Sequence, residues 1–173
     1  MLSCVLLAFC LVTAADAATS LSAPITLLQD YEYAPSLFDG LRSARRSIVC
    51  SFYLFKLTDS RSNLPRRIAD ELIGASRRGV DVQVVLEATN RSRDRLNGDN
   101  YRTASYLSRG GVKVRFDSLR KTSHSKVVVI DHRILFLGSH NLTQSSLTHN
   151  REVSVRIDSP DLALQMERSL AQY

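Results

Sequence analysis

The sequence predicts an α/β fold, a mixed β-sheet sandwiched between helices. Short apolar runs of strand length, such as Ser47 to Phe55, Val80 to Leu86 and Val127 to Ile130, alternate with longer stretches whose apolar residues recur at helical spacing. Gly79, Gly110-Gly111 and Pro160 punctuate that alternation where helices stop or start. The runs Val127 to Ile130 and Ile134 to Leu137 are separated only by Asp131-His132-Arg133, close enough to pair as a hairpin. This order implies a layered sheet rather than a helical bundle or a β-sandwich.

Each element follows from local chemistry. Ile25 to Leu28 reads as a strand, and Ser36 to Arg46 as a helix with Leu37, Phe38, Leu41 and Ala44 inward. Ser47 to Phe55 is a strand, followed by a polar loop from Thr58 to Ser62. Asn63 suits an N-cap for a helix to Arg78, with Ile68, Leu72 and Ile73 on one face and Gly79 as its stop. Val80 to Leu86 is a strand. Asn90 to Asn100 reads as a loop carrying Arg91, Arg93 and Arg95, and a short helix from Tyr101 to Ser108 precedes a strand from Val112 to Phe116. After the hairpin, Glu152 to Ile157 is a strand, and Ser159-Pro160-Asp161 opens a final helix with Leu162, Met166 and Leu170 inward. No repeat or linker divides the chain, so residues 18–173 are expected to form one domain.

Residues 1–17 differ in kind. The apolar stretch Cys4 to Ala15, closed by Ala15-Asp16-Ala17, is too short to span a bilayer and suits a signal segment cleaved after Ala17, although no Lys or Arg precedes it. Export to the periplasm or beyond is the expectation, with an uncleaved anchor as the alternative. The chain carries 23 Lys and Arg against 17 Asp and Glu, a formal charge of +6. Cleavage removes Asp16 and no base, which raises it to +7. Such a domain is biased toward polyanions, nucleic acids or acidic lipid surfaces. Cys4 and Cys10 leave with the segment, so Cys50 has no partner for a disulfide and reads as a buried small hydrophobe.

The chemistry concentrates in Ser123-His124-Ser125-Lys126, the apolar run to Ile130, Asp131, and then Gly138-Ser139-His140-Asn141. Along a strand, residues two apart point to one side, so His124 and Lys126 present an imidazole and an ammonium to one space at the mouth of a packed core. A tight turn centred on Asp131-His132 brings Ser139 opposite His124; a turn shifted by one residue brings Asn141 opposite His124 and Ser139 opposite Lys126. In either register a hydroxyl and an amide join the two basic groups. That set suits an anion with several oxygens, above all a phosphate.

The pattern His124-x-Lys126-x4-Asp131 followed by Gly138-Ser139-x-Asn141 resembles the HKD signature of the phospholipase D superfamily. The onward spacing to Asn150-Arg151-Glu152 is similar to that of the small bacterial single-motif, Nuc-type endonucleases of that superfamily. The resemblance is tightest over residues 123–157 and looser elsewhere, through Arg77-Arg78-Gly79-Val80 leading into a Val-rich strand. It implies the phospholipase D/nuclease fold with one HKD half per chain. It further implies a metal-independent phosphodiesterase without a cofactor, in which His124 attacks phosphorus and becomes a phosphohistidine. Glu152 would fix its tautomer and stabilise its charge. Lys126, Ser139 and Asn141 would hold the non-bridging oxygens in place of a metal, and Gly138 belongs to the motif's frame. Asp131 reads as structural, a turn and ion-pair residue. The second histidine that protonates the leaving oxygen in this superfamily has no counterpart here, since no second His-x-Lys occurs. A homodimer with two copies of His124 across a twofold axis is therefore implied.

Other features carry plainer readings. His132, His140 and His149 read as turn or surface residues rather than metal ligands, because neither cysteine nor clustered carboxylates accompany them. Thr143 opens either a helix facing the phosphate or a plain cap. Arg91, Arg93 and Arg95 are candidate substrate contacts along a nucleic-acid backbone, or a solvated loop. Tyr31, Tyr33, Tyr53 and Tyr101 are candidates for base stacking, with core or rim packing the favoured reading. Three functions are weighed: a non-specific endonuclease on DNA and possibly RNA, a phospholipase D acting on phospholipid head groups including cardiolipin-like lipids, and a catalytically silent nucleic-acid-binding module. The first is favoured by the short single-motif chain, its charge and the lack of an obvious lipid-binding insertion.

Overall fold

The computed structural model describes residues 22–60, 62–90, 94–118 and 120–172; the expected signal segment, Arg91 and Arg93 lie outside them. The strands are β1 (Ile25–Gln29), β2 (Ser47–Phe52), β3 (Asp81–Leu86), β4 (Lys113–Phe116), β5 (Lys126–Ile130), β6 (Ile134–Gly138) and β7 (Val153–Asp158). The helices are α1 (Tyr33–Ser43), α2 (Leu64–Arg77), α3 (Arg95–Arg109), α4 (Gln144–Thr148) and α5 (Pro160–Leu170), with a 3-10 turn at Asp30–Glu32. All seven strands form one sheet in the order β1-β7-β6-β5-β2-β3-β4. The pairs β2–β3 and β3–β4 are parallel and the rest antiparallel, so the sheet is mixed, as expected.

The two faces of β5 show how the layers form. Val128 and Ile130 join Ile48, Cys50, Val84 and Phe136 under α1, α2 and α3, whereas Val127 and Val129 join Leu135 and Ile157 under α5. A strand buried on both sides reads as an unbroken apolar run, which is what Val127 to Ile130 supplies. Cys50 is buried and free, and burial pushes its thiol up to about 12. Among the described residues no helix is long and apolar enough to cross a membrane.

Helix boundaries moved where polar residues do unexpected work. α1 begins at Tyr33 rather than Ser36, because Pro35 falls in the first turn, where a missing N–H costs nothing. It ends at Ser43, since Ala44 leaves helical geometry. α2 matches its prediction, with the Asn63 side chain accepting from Arg66 N and Gly79 at φ +89 past its end. α3 begins at Arg95, within the stretch expected to be a loop, because Asp94 caps it by accepting from Leu96 N. Its inward face there is polar: Asn97 bonds both backbone groups of Thr89, and Asn100 bonds Phe55 N, Tyr53 O and Glu87 O. Thr143 is a plain cap on the short α4, accepting from Ser146 N.

The hairpin adopts neither expected register. Val127 pairs with Leu137 and Ile130 with Ile134, which leaves three residues in the loop. Asp131 and His132 are both left-handed, at φ 53 and 56, and Arg133 N donates to Ile130 O at 3.0 Å, so Arg133 is an extra residue after a tight turn. Continued one step, that register sets Lys126 beside Gly138. Gly138 is obligatory by proximity: a Cβ there would lie 2.3 Å from Ser154 Oγ and 2.4 Å from Ser154 Cα.

Asp131 is structural, but not through an ion pair. Its Oδ1 accepts from the backbone N–H of Arg45, Arg46 and Ser47 at 3.1, 2.7 and 3.0 Å, tying the hairpin turn to the entry of β2. No cationic side chain closes on it within ion-pair distance among the described residues. Burial pushes its carboxyl up, but the three amides and the Arg46 charge outweigh it and hold the group below the usual carboxylate range. Asp131→Ala is expected to cost about 2–4 kcal/mol in urea unfolding, from three donors left without an acceptor. Because the folded value is depressed, this stabilisation is present above the unfolded value of about 3.9 and lost as pH falls through the folded one. The variant should lack that acid-side loss.

Candidate active site

The site forms at the end of the sheet where β5 begins and β6 ends. Lys126 is the first residue of β5 and is only 6% exposed. Its Nζ donates to its neighbour's carbonyl, His124 O, at 2.8 Å and lies 5.2 Å from the centroid of the Tyr53 ring. The same ring packs 4.5 Å from the His124 imidazole, tilted by 59°. Tyr53 is brought there by the β2–β5 ladder, in which Phe52 pairs with Lys126 and Tyr53 N donates to Ser125 O at 2.9 Å. His124 and Lys126 are thus gathered about one aromatic face, as their two-residue spacing predicts.

Burial lowers the Lys126 ammonium below its ordinary value, and the nearby Glu152 carboxylate opposes that only in part. Partial burial, then the Lys126 charge, lowers the His124 imidazole below 6.5, so at neutral pH it is uncharged and nucleophilic.

Glu152 precedes β7 and sits across the same mouth. Ser139 Oγ donates to its Oε2, while Ser146 Oγ and Asn150 Nδ2 reach its Oε1 at 3.0 and 3.1 Å. Burial raises this carboxyl, but those three donors outweigh it and hold the group below the ordinary glutamate value. Its backbone is clamped from both sides: Glu152 N donates to Asp30 Oδ1 at 2.8 Å, and Asp30 N donates to Glu152 O at 3.0 Å. The expected direct partnership of Glu152 with His124 does not form within this chain. Among the described residues the His124 ring makes no hydrogen bond, and Glu152 is taken up by Ser139, Ser146 and Asn150. The half-buried Asn141 holds its amide oxygen away from solvent with no hydrogen-bond partner among the described residues.

The remaining histidines separate. His132 lies in the hairpin turn, its Nδ1 2.8 Å from Glu167 Oε2. His149 is exposed, with Nδ1 2.6 Å from Thr148 Oγ1. His140, expected at the surface, is 0% exposed and stacked on Tyr33. Among the described residues no group of three His, Cys, Asp or Glu is arranged to hold a metal ion. Arg95 is exposed in the first turn of α3 and has no part in this cluster. Ser146 and Asp30 escaped the sequence reading, which took Tyr53 as core or rim packing, because only the strand register and the fold of α4 bring them in.

The residues matched by a family model, 37–173, carry the description "Cardiolipin synthase, PLD-like domain". The chain belongs to the phospholipase D superfamily. A phospholipase D of Rickettsia bellii is 28% identical over 125 residues, which cover 72% of this chain and 55% of that one. With a second such relative covered to 45%, the chain spans about half the length of the curated relatives it matches. Among solved structures, Nuc of Salmonella typhimurium, itself a phospholipase D family member, superimposes with a TM-score of 0.72 at 25% identity over 87% of this chain and 93% of Nuc. NucT of Helicobacter pylori shares the fold, with a TM-score of 0.69 at 23% identity over 87% of this chain and 95% of NucT. The Nuc-type fold is therefore common ground.

Tyr53 covers one side of the exposed His124 ring. Tyr53→Ala is expected to raise the His124 pKa toward 6.5, followed by NMR titration of the imidazole carbon signals; an unchanged titration would mean that the ring contact does not set it.

Proposed function

We propose that this chain is a metal-independent phosphodiesterase and, most specifically, an endonuclease with little sequence preference, exported and acting as a homodimer. The observation that carries the choice of nucleic acid is the space in front of the nucleophile. His124 borders a cavity of about 400 Å3 lined by polar residues, among them Asp117, Ser118, Lys121, Thr122, Ser123 and Gln172. The hydroxyl, amide and ammonium groups of that wall suit a hydrated, anionic strand. The formal net charge of +6 adds a sequence-independent attraction for polyanions. The phospholipid reading draws on the names of the relatives.

In the proposed reaction a neutral ring nitrogen of His124 forms a bond to phosphorus as the bond to the leaving oxygen breaks. Lys126 through its ammonium, Asn141 through its amide nitrogen, and Ser139, by turning its hydroxyl from Glu152, hold the non-bridging oxygens. Glu152, kept ionised by its donors, offsets the positive charge left on a phosphorylated imidazole. In this scheme the leaving oxygen takes its proton from His124 of a second copy, which enters the reaction protonated while the attacking copy is neutral. Water then attacks phosphorus and gives a proton to that second imidazole, now neutral, as a P–O bond replaces the P–N bond and the first histidine is returned. An active species that sediments as a monomer at equilibrium would contradict it.

Incubation with plasmid DNA and with phospholipid vesicles in excess EDTA tests the reading. Nicking is expected to persist in EDTA and to fall at least about 10³-fold in His124→Ala. The acid limb of kcat/KM should lie below pH 6.5, since the attacking form is deprotonated and its pKa is lowered. Nicking that requires added Mg²⁺, or lipid hydrolysis without DNA cleavage, would overturn the proposal.

A further inference from the structure

We infer that His140 is a positioning residue that sets the Glu152 carboxylate through Asp30; this rests on the role proposed above for Glu152. His140 lies between Ser139 and Asn141 in sequence, yet its side chain runs the opposite way, into the core. The ring lies flat on Tyr33, with centroids 4.4 Å apart and planes 7° from parallel. Its Nε2 is 2.9 Å from Asp30 O and its Nδ1 is 2.7 Å from Ser154 Oγ. A carbonyl only accepts, so Nε2 carries the proton and Nδ1 accepts from the serine hydroxyl. One neutral tautomer is thereby selected, and burial, which lowers this imidazole against the pull of Glu152 and Asp30, favours it. Those two carboxylates, with the Tyr33 phenol and the Ser154 hydroxyl, are the polar groups facing the ring.

The consequence lies one link further on. Asp30 is a non-glycine residue in the left-handed region, at φ 50, an outlier that persists where its surroundings over-determine it. The His140 bond fixes the direction of the Asp30 carbonyl. The same residue then grips Glu152, accepting from its N–H through the carboxylate and donating to its carbonyl through the backbone. With that backbone held, Ser139, Ser146 and Asn150 all reach the Glu152 carboxylate. An apolar residue at 140 would fill the space on Tyr33 and leave the Asp30 carbonyl without this donor. His140 therefore acts on the reacting centre without touching it.

The chain His140–Asp30–Glu152 makes a coupled pair of mutations. On bis(4-nitrophenyl) phosphate, His140→Ala and Asp30→Ala are each expected to lower kcat by about 10- to 100-fold with KM nearly unchanged, as for a misplaced catalytic group. The double variant should be no slower than the slower single one, since both cut the same strut. His140→Gln, whose amide nitrogen can still reach Asp30 O, should recover most of the loss. Independently of turnover, ¹³C NMR of glutamate-labelled protein should show the Glu152 carboxyl pKa rising in both alanine variants and returning in His140→Gln. Additive losses in kcat, or a folded His140→Ala in which Glu152 titrates as in the native chain, would overturn the inference. Should His140→Ala not fold, Asp30→Ala must still raise that pKa, and an unchanged value overturns it equally. A native chain that cleaves no phosphodiester would defeat the proposed function alone, because the Glu152 titration still decides the strut.

Discussion

The site is organised around an ammonium group withdrawn from water. Lys126 is nearly sealed at the head of β5, where its Nζ has one neutral acceptor, the carbonyl of His124, and the face of Tyr53. A buried cation is costly unless paired and hydrogen-bonded. The carboxylate that answers it, Glu152, is already engaged by three donors of its own. Lys126 is thus short of an acceptor, and a phosphate oxygen is the acceptor the family chemistry supplies. Partial burial lowers the His124 imidazole and the same ammonium adds to that shift, so in the proposed reaction one group both attracts the substrate and helps to ready the nucleophile.

The fold holds this arrangement by making the β5–β6 hairpin rigid at both ends. At the turn, Asp131 gathers three amides at the start of β2, which also fixes where β2 runs beside β5 and hence where Tyr53 emerges. At the open end, Gly138 lets β6 and β7 approach within contact of Ser154, and that closeness brings Glu152 alongside Ser139. A motif aspartate and a motif glycine far from the reacting atoms thus act on geometry, through backbone hydrogen bonds and through the absence of a Cβ.

The parts legible in the sequence were those whose physics is local. The two-residue spacing of His124 and Lys126 puts both on one side of a strand whatever surrounds it, and the apolar run after them declares a strand buried on both faces. Asn63 as a cap and Gly79 as a stop are equally local. The hairpin register was hidden, because two left-handed residues that are not glycine, Asp131 and His132, build a turn with no Asn-Gly signal. The start of α3 was hidden because its buried face is asparagine, satisfied by backbone groups of distant segments. His140 read as a surface residue for the same reason: its partners are brought to it only by long-range pairing, Ser154 by β7 on β6, and Asp30 and Tyr33 by β1 on β7.

Trapping the covalent intermediate tests the central claim most directly. In excess EDTA, bis(4-nitrophenyl) phosphate mixed with the protein and quenched in base within one turnover should leave a 4-nitrophenyl phosphoryl group on His124, located by tandem mass spectrometry. It should form as the first nitrophenolate is released and be absent from His124→Asn. Release of nitrophenolate by protein that keeps its unmodified mass throughout, or an adduct on any other side chain, would contradict the account.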